Sequence, residues 1–233
     1  MFIVRSQIIL ENDKKKQQLG FTLIELAIVL VIIGLLLGGV LKGQELINSA
    51  KVKSMATDFK NIQVYLYGYQ DKFKALPGDD RAASTHLAGA ANATTGGTPG
   101  DAVIQGLYGS STATEESVLF WQHVRLASLA AGPTDVAAEN YFPVNADGGR
   151  IGIQSVATLV AVTPISSTEP AGLSGAYAIC SEGVLGKYAK QLDSTMDDGV
   201  GDSGSMRIVV KATPSTGVAA PDDASPYVVC LAF

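Results

Sequence analysis

Hydrophobic positions follow two patterns in the first third of the chain. From Phe21 to Leu41 the sequence is apolar around every side of a helix, and Glu25 is the only charged residue among these 21. As a helix this run measures about 32 Å, enough to span a bilayer. From Val52 onward the pattern narrows. Val52, Met55, Phe59, Ile62, Leu66, Tyr69 and Phe73 recur at alternating steps of three and four, which is one apolar stripe on a helix. Lys51, Lys53, Lys60 and Lys72 lie off that stripe. No breaker separates the two patterns, so one helix is predicted from Phe21 to about Lys74. Leu76-Pro77-Gly78-Asp79-Asp80 stops it, because proline and glycine both disfavour continuation. Within the apolar run, Gly34/Gly38 and Gly39/Gly43 have the small-xxx-small spacing that lets helices approach closely.

Beyond the stop, residues 82–114 are rich in Ala, Gly, Thr and Ser and read as a long loop. Thr112 followed by Glu115 forms a capping-box pattern. It precedes a helical segment carrying Val118, Leu119, Phe120, Trp121, Val124, Leu126 and Leu129, with Trp121 as a core anchor. Strand-like content covers Ile151–Val162, Gly175–Cys180, Ser205–Ala212 and Tyr227–Phe233. Val184, Leu185, Tyr188 and Leu192 point to a short helix between them. The predicted fold class is α+β: a long N-terminal helix packed on an antiparallel sheet, with small extra helices.

Charge changes the picture at both ends. Lys14, Lys15 and Lys16 precede Gly20 and the apolar run. An ordinary signal peptide has its apolar region before the cut and loses it. Here the better cut lies between Gly20 and Phe21, so the apolar segment stays, with the lysines on the cytoplasmic side. Past residue 81 the chain holds 6 Lys+Arg against 14 Asp+Glu. That balance offers no basic patch, and nucleic acid is not an expected partner.

Gly20-Phe21-Thr22-Leu23-Ile24-Glu25, with the basic leader before it and the apolar run after it, resembles the processing site of type IV prepilins and type II secretion pseudopilins. The resemblance implies a pilin-like fold. It also implies a prepilin peptidase that cuts after Gly20 and methylates the new amine of Phe21. The implied organisation is a leader over residues 1–20, a membrane or filament-core segment over 21–41, and a soluble head over 42–233. The implied partners are other copies of the chain, other pilins, an inner-membrane platform protein, an assembly ATPase and membrane lipid before assembly. The head would lie in the periplasm, and the assembled filament would be periplasmic or extracellular.

Glu25 gains a physical role in that setting. An ionised carboxylate within hydrocarbon costs roughly 2.5–3.5 kcal/mol on insertion scales, and a plain anchor gains nothing from it. The charged amine on Phe21 of a neighbouring subunit would offset that cost. Two forms of this reading compete, a type IV pilus subunit and a type II secretion pseudopilin. A third, of another class, is a membrane-tethered binding module that never polymerises.

Cys180 and Cys230 are the only cysteines. An even count in an exported segment favours a disulfide, and the resemblance implies a C-terminal staple of this kind. Inside that loop lies Asp193-Ser194-Thr195-Met196-Asp197-Asp198-Gly199-Val200-Gly201-Asp202-Ser203-Gly204. Asp and Gly build tight turns. The same carboxylates, Asp193, Asp197, Asp198 and Asp202, are also candidate Ca²⁺ ligands, although the spacing is not that of an EF-hand. No catalytic motif stands out. His86 and His123 are isolated in sequence, and no G-x-S-x-G or phosphate-binding glycine loop occurs, so the expectation is a structural protein and not an enzyme.

Overall fold

A computed structural model of the chain describes residues 22–156, 173–211 and 213–233. The chain divides into two compact units, residues 1–45 and 46–233. Helix α1 runs Leu23–Phe73, and Lys74 leaves it in the left-handed region (φ 55°). The helix ends where the Pro-Gly stop was predicted.

In the second unit α1 buries the predicted stripe as far as Tyr69, and its last member, Phe73, is half-buried. Val52, Met55, Phe59, Ile62, Leu66 and Tyr69 are all buried. The first five join one core with Ile153, Ile179, Met206, Ile208, Val229 and Leu231. Those partners come from an antiparallel sheet of order β1-β2-β5-β3-β4. Its strands are β1 (Ile151–Ser155), β2 (Tyr177–Leu185), β3 (Met206–Val210), β4 (Thr213–Gly217) and β5 (Pro226–Ala232). The architecture is α+β and pilin-like, as the sequence predicted.

Alternation along the strands separates two faces. Ile179 and Val229 face the helix core, while their neighbours Cys180 and Val228 join a second cluster with Ala178, Val209, Cys230 and Tyr108. That far face is covered by the segment around Tyr108, which passes so close to β1 that a side chain at Gly152 would collide with the Tyr108 backbone. Both faces of the middle strands are therefore buried around Ala178–Ser181 and Val228–Leu231.

The remaining helices are α2 (Ala83–His86), α3 (Glu116–Leu126) and α4 (Gly186–Met196). Several predicted details shift. Thr112 is not the N-cap of α3: Glu115 holds that position without a side-chain cap, and the Thr112 carbonyl instead accepts the Glu115 N–H at 3.0 Å in a turn. Strand β1 ends at Ser155, and residues 157–162 of the predicted strand lie outside the described residues. Strand β2 continues past Cys180 to Leu185 through a register shift between Ser181 and Val184, so Ser-Glu-Gly is an irregularity within a strand and not its end. Strand β4, whose Thr-Pro-Ser-Thr-Gly composition resembles a turn, was not expected. It is an edge strand, where proline is tolerated. The 82–114 segment is mostly irregular yet not loose, since Leu87, Ala90, Ala93, Ile104 and Tyr108 are buried. Trp121 is buried in the core as predicted.

Candidate functional site

Among the described residues the N-terminal segment starts with Thr22 outside the helix, and Glu25 lies in the first turn. The first backbone N–H groups of a helix have no partner within it. Here Thr22 and Glu25 supply a reciprocal pair of contacts. The Glu25 N–H donates to Thr22 Oγ1 at 3.3 Å, and the Thr22 N–H donates to Glu25 Oε2 at 2.7 Å. The Thr22 hydroxyl also donates to Glu25 Oε2 at 2.7 Å. This is a capping box, and its Thr-x-x-Glu signature was present in the sequence. The sequence reading left Glu25 without a partner in the monomer. The structure gives it a neutral one, and Glu25 makes no ion pair among the described residues.

Downstream the segment is exposed over its apolar surface, with Leu23 at 88% and Leu35 at 74% of full exposure. The helix is long and apolar enough to cross a membrane. Nothing lies within 4 Å of a Cβ built at Gly34, Gly38, Gly39 or Gly43, so the pairs Gly34/Gly38 and Gly39/Gly43, on different faces of the helix, are each open to a neighbouring helix. Lys42 pairs with Glu45 at 2.7 Å where the apolar run ends.

Residues 15–41 match the family model of the prokaryotic N-terminal methylation motif. The chain carries a prepilin-type segment. That motif is the signature of the type IV pilin and pseudopilin class, and it implies membrane anchoring, processing by a prepilin peptidase and assembly into filaments. No curated protein and no solved structure matches the chain. Gly20 and Phe21 of the prepilin-type segment lie outside the described residues.

The structure joins the two cysteines. Cys180 and Cys230 form a disulfide between directly opposed positions of β2 and β5. Of the four candidate cation ligands, it brings three together. One carboxylate oxygen each from Asp193, Asp197 and Asp198 lie within 4.8 Å of one another. Asp202 is not part of this group and packs against Gly217 instead. Asp193 is fully buried, and burial with the nearby Asp198 and Asp197 charges pushes its carboxyl up to about 6.

The helix stop carries more than a break. Asp79 accepts backbone N–H groups from Gly100, Asp101 and Ala102. Asp80 accepts from the Tyr69 hydroxyl at 2.8 Å and contacts His86 Nδ1 at 2.6 Å. Gly78 N–H donates to His123 Nδ1 at 2.9 Å, which leaves the proton on Nε2 to donate to the Ala91 carbonyl at 2.8 Å. Burial holds His123 below its ordinary pKa, consistent with a neutral ring. The two histidines that looked isolated in sequence thus fasten Leu76–Asp80 to the head. The sequence analysis read Leu76–Asp80 only as a helix stop, and the Gly78–His123 contact joins residues 45 positions apart.

Proposed function

We propose that the protein is a structural subunit of a type IV pilus-like filament, assembled through its N-terminal segment after removal of residues 1–20 and methylation of Phe21. The carrying observation is the placement of Glu25 as the one charge of the apolar run 21–41, held only by neutral Thr22 contacts. In the anchored monomer the capping box partly satisfies the carboxylate. In the filament the Phe21 ammonium of an adjacent subunit provides a full opposite charge in low-dielectric surroundings, which is the stronger interaction. Register between subunits then follows from this pairing, while the two small-residue pairs allow close helix contact. Transfer from bilayer to filament core exchanges one apolar environment for another, so packing decides the outcome.

The cross-strand disulfide in the head suits an oxidising compartment outside the cytoplasm, a setting shared by a surface pilus and a periplasmic pseudopilus.

Glu25→Ala tests the mechanism. The variant keeps the apolar run and is expected to reach the membrane fraction at wild-type abundance. It is also expected to be processed, and to yield less than about a tenth of the sheared filament. Normal filament yield from Glu25→Ala would remove the ionic pairing from the mechanism.

A further inference from the structure

A cleft of about 90 Å³ lies between the middle of α1 and α3, within the unit 46–233. Asp58, Asn61 and Tyr65 line it from α1, and Trp121 and Arg125 line it from α3. Steps of three and four place the members of each set on one helix face. Trp121 is 2% and Arg125 8% exposed, yet Trp121 Nε1 and Arg125 Nε have no hydrogen-bond partner among the described residues. Buried donors of this kind are normally satisfied.

The charges on the two walls are also unmatched. The Arg125 guanidinium makes one hydrogen bond among the described residues, from Nη1 to the Pro133 carbonyl at 2.9 Å. It lies 5.0 Å from the ring centre of Tyr141 and 5.6 Å from that of Trp121, and no carboxylate pairs with it. Burial accordingly holds its pKa below the usual arginine value. On the α1 wall Asp58 is half-buried, and burial raises its carboxyl above the ordinary range. It has neither a hydrogen bond nor an ion pair among the described residues. An unpaired cation and an unpaired anion thus share one cleft without forming an ion pair.

We propose that this cleft binds a small α-amino acid as its zwitterion, with the carboxylate on the Arg125 and Trp121 donors and the ammonium on Asp58. A carboxylate is acceptor-only and suits guanidinium and indole N–H groups, while an ammonium is donor-only and suits Asp58. A lone anion would leave Asp58 unpaired, and a lone amine would leave Arg125 unpaired. The zwitterion supplies both partners and adds no net charge. Size narrows the choice: a water occupies about 30 Å³, so the cleft has room for about three waters or for one molecule of that volume. Free glycine is the simplest ligand that fits. This inference does not depend on filament assembly.

Calorimetric titration of free glycine into the full chain in detergent, at neutral pH, tests it. A single saturable site per chain is expected, with a Kd on the order of 10⁻⁴–10⁻³ M for so small a ligand. At about tenfold excess over Kd the melting temperature should rise by about 3–6 °C. Acetate and methylamine each carry half of the charge pair and should bind at least about tenfold more weakly than glycine. Asp58→Asn and Trp121→Phe should each weaken glycine binding at least about tenfold. Asp71→Asn, on α1 outside the cleft, should leave it unchanged. Trp121 belongs to the core, so Asp58→Asn decides the matter if Trp121→Phe does not fold. Absence of saturable glycine binding to the wild-type chain would mean that the cleft holds water alone, and undiminished binding by Asp58→Asn would equally overturn the site. Acetate binding as tight as that of glycine would overturn the choice of a zwitterion.

Discussion

Glu116 shows how one residue sets a pH response. It opens α3 with no exposed surface. Its Oε2 accepts the Gln105 N–H at 2.8 Å, and its Oε1 has no partner among the described residues. Burial, with added repulsion from Asp79 and Asp101, pushes its carboxyl up to about 7. The folded state therefore favours the protonated form. Its contribution to stability is complete below the unfolded pKa of about 4.5 and is lost as pH rises through about 7. His123 works in the opposite sense, because its pKa is lowered by burial, and it favours the folded state as pH rises. The Glu116 contribution is thus isolated by comparing Glu116→Gln with wild type across pH. Between pH 5 and pH 8 the wild type should lose about 2 kcal/mol more than the variant, a difference of roughly 4–8 °C in melting temperature. Parallel melting profiles for the two proteins would show that Glu116 does not titrate across this range.

At the scale of elements the sheet is held by a covalent tie as well as by its ladder. The Cys180–Cys230 bridge spans 50 residues, and closing a loop of that size contributes about 4 kcal/mol in the chain-entropy model. Reduction, or the double variant Cys180→Ser with Cys230→Ser, should lower the melting temperature by roughly 8–16 °C, with a thiol-free melt as the check. A shift under about 2 °C would mean that strand pairing alone confines the unfolded chain. The bridge was legible in sequence because only two cysteines exist. The stripe on α1 was legible for a different reason: seven apolar positions at helical spacing leave one face to bury. The β2 irregularity and β4 were not legible. Ser181-Glu182-Gly183 and Thr213–Gly217 have turn-like local chemistry, and neighbouring strands hold them in the sheet. The same limit applied at the sites. Thr22-x-x-Glu25 was a readable local pattern, whereas the contact of Gly78 with His123 joins residues 45 positions apart, and no local pattern encodes it. Likewise, the run from Asp193 to Asp202 does not reveal that carboxylate oxygens of Asp193, Asp197 and Asp198 come within 4.8 Å of one another, because composition alone does not tell which carboxylates converge.

The whole molecule consists of a unit with its own core, sheet and disulfide over residues 46–233, and a second unit over residues 1–45. The contrast between them is chemical. One buries its apolar side chains, and the other displays them along Leu23–Leu41. A displayed apolar helix needs a lipid or protein partner at every stage. Under the proposed reading residues 1–20 are a leader that limits which partner the helix can take, since Lys14, Lys15 and Lys16 are stable at the bilayer surface but strongly unfavourable in a packed filament core without counter-charges. Removal of residues 1–20 does two things at once under this reading: it discards the lysines and creates the amine that pairs with Glu25. Gly20→Val separates processing from folding. The uncut variant should carry its full leader mass, remain in the membrane fraction, keep the Cys180–Cys230 bridge and give no sheared filament. Intact-protein mass spectrometry, before and after reduction, reads the first and third of these, and fractionation reads the others. Filaments built from chains that retain residues 1–20 would show that neither loss of the lysines nor a free Phe21 amine is required for assembly.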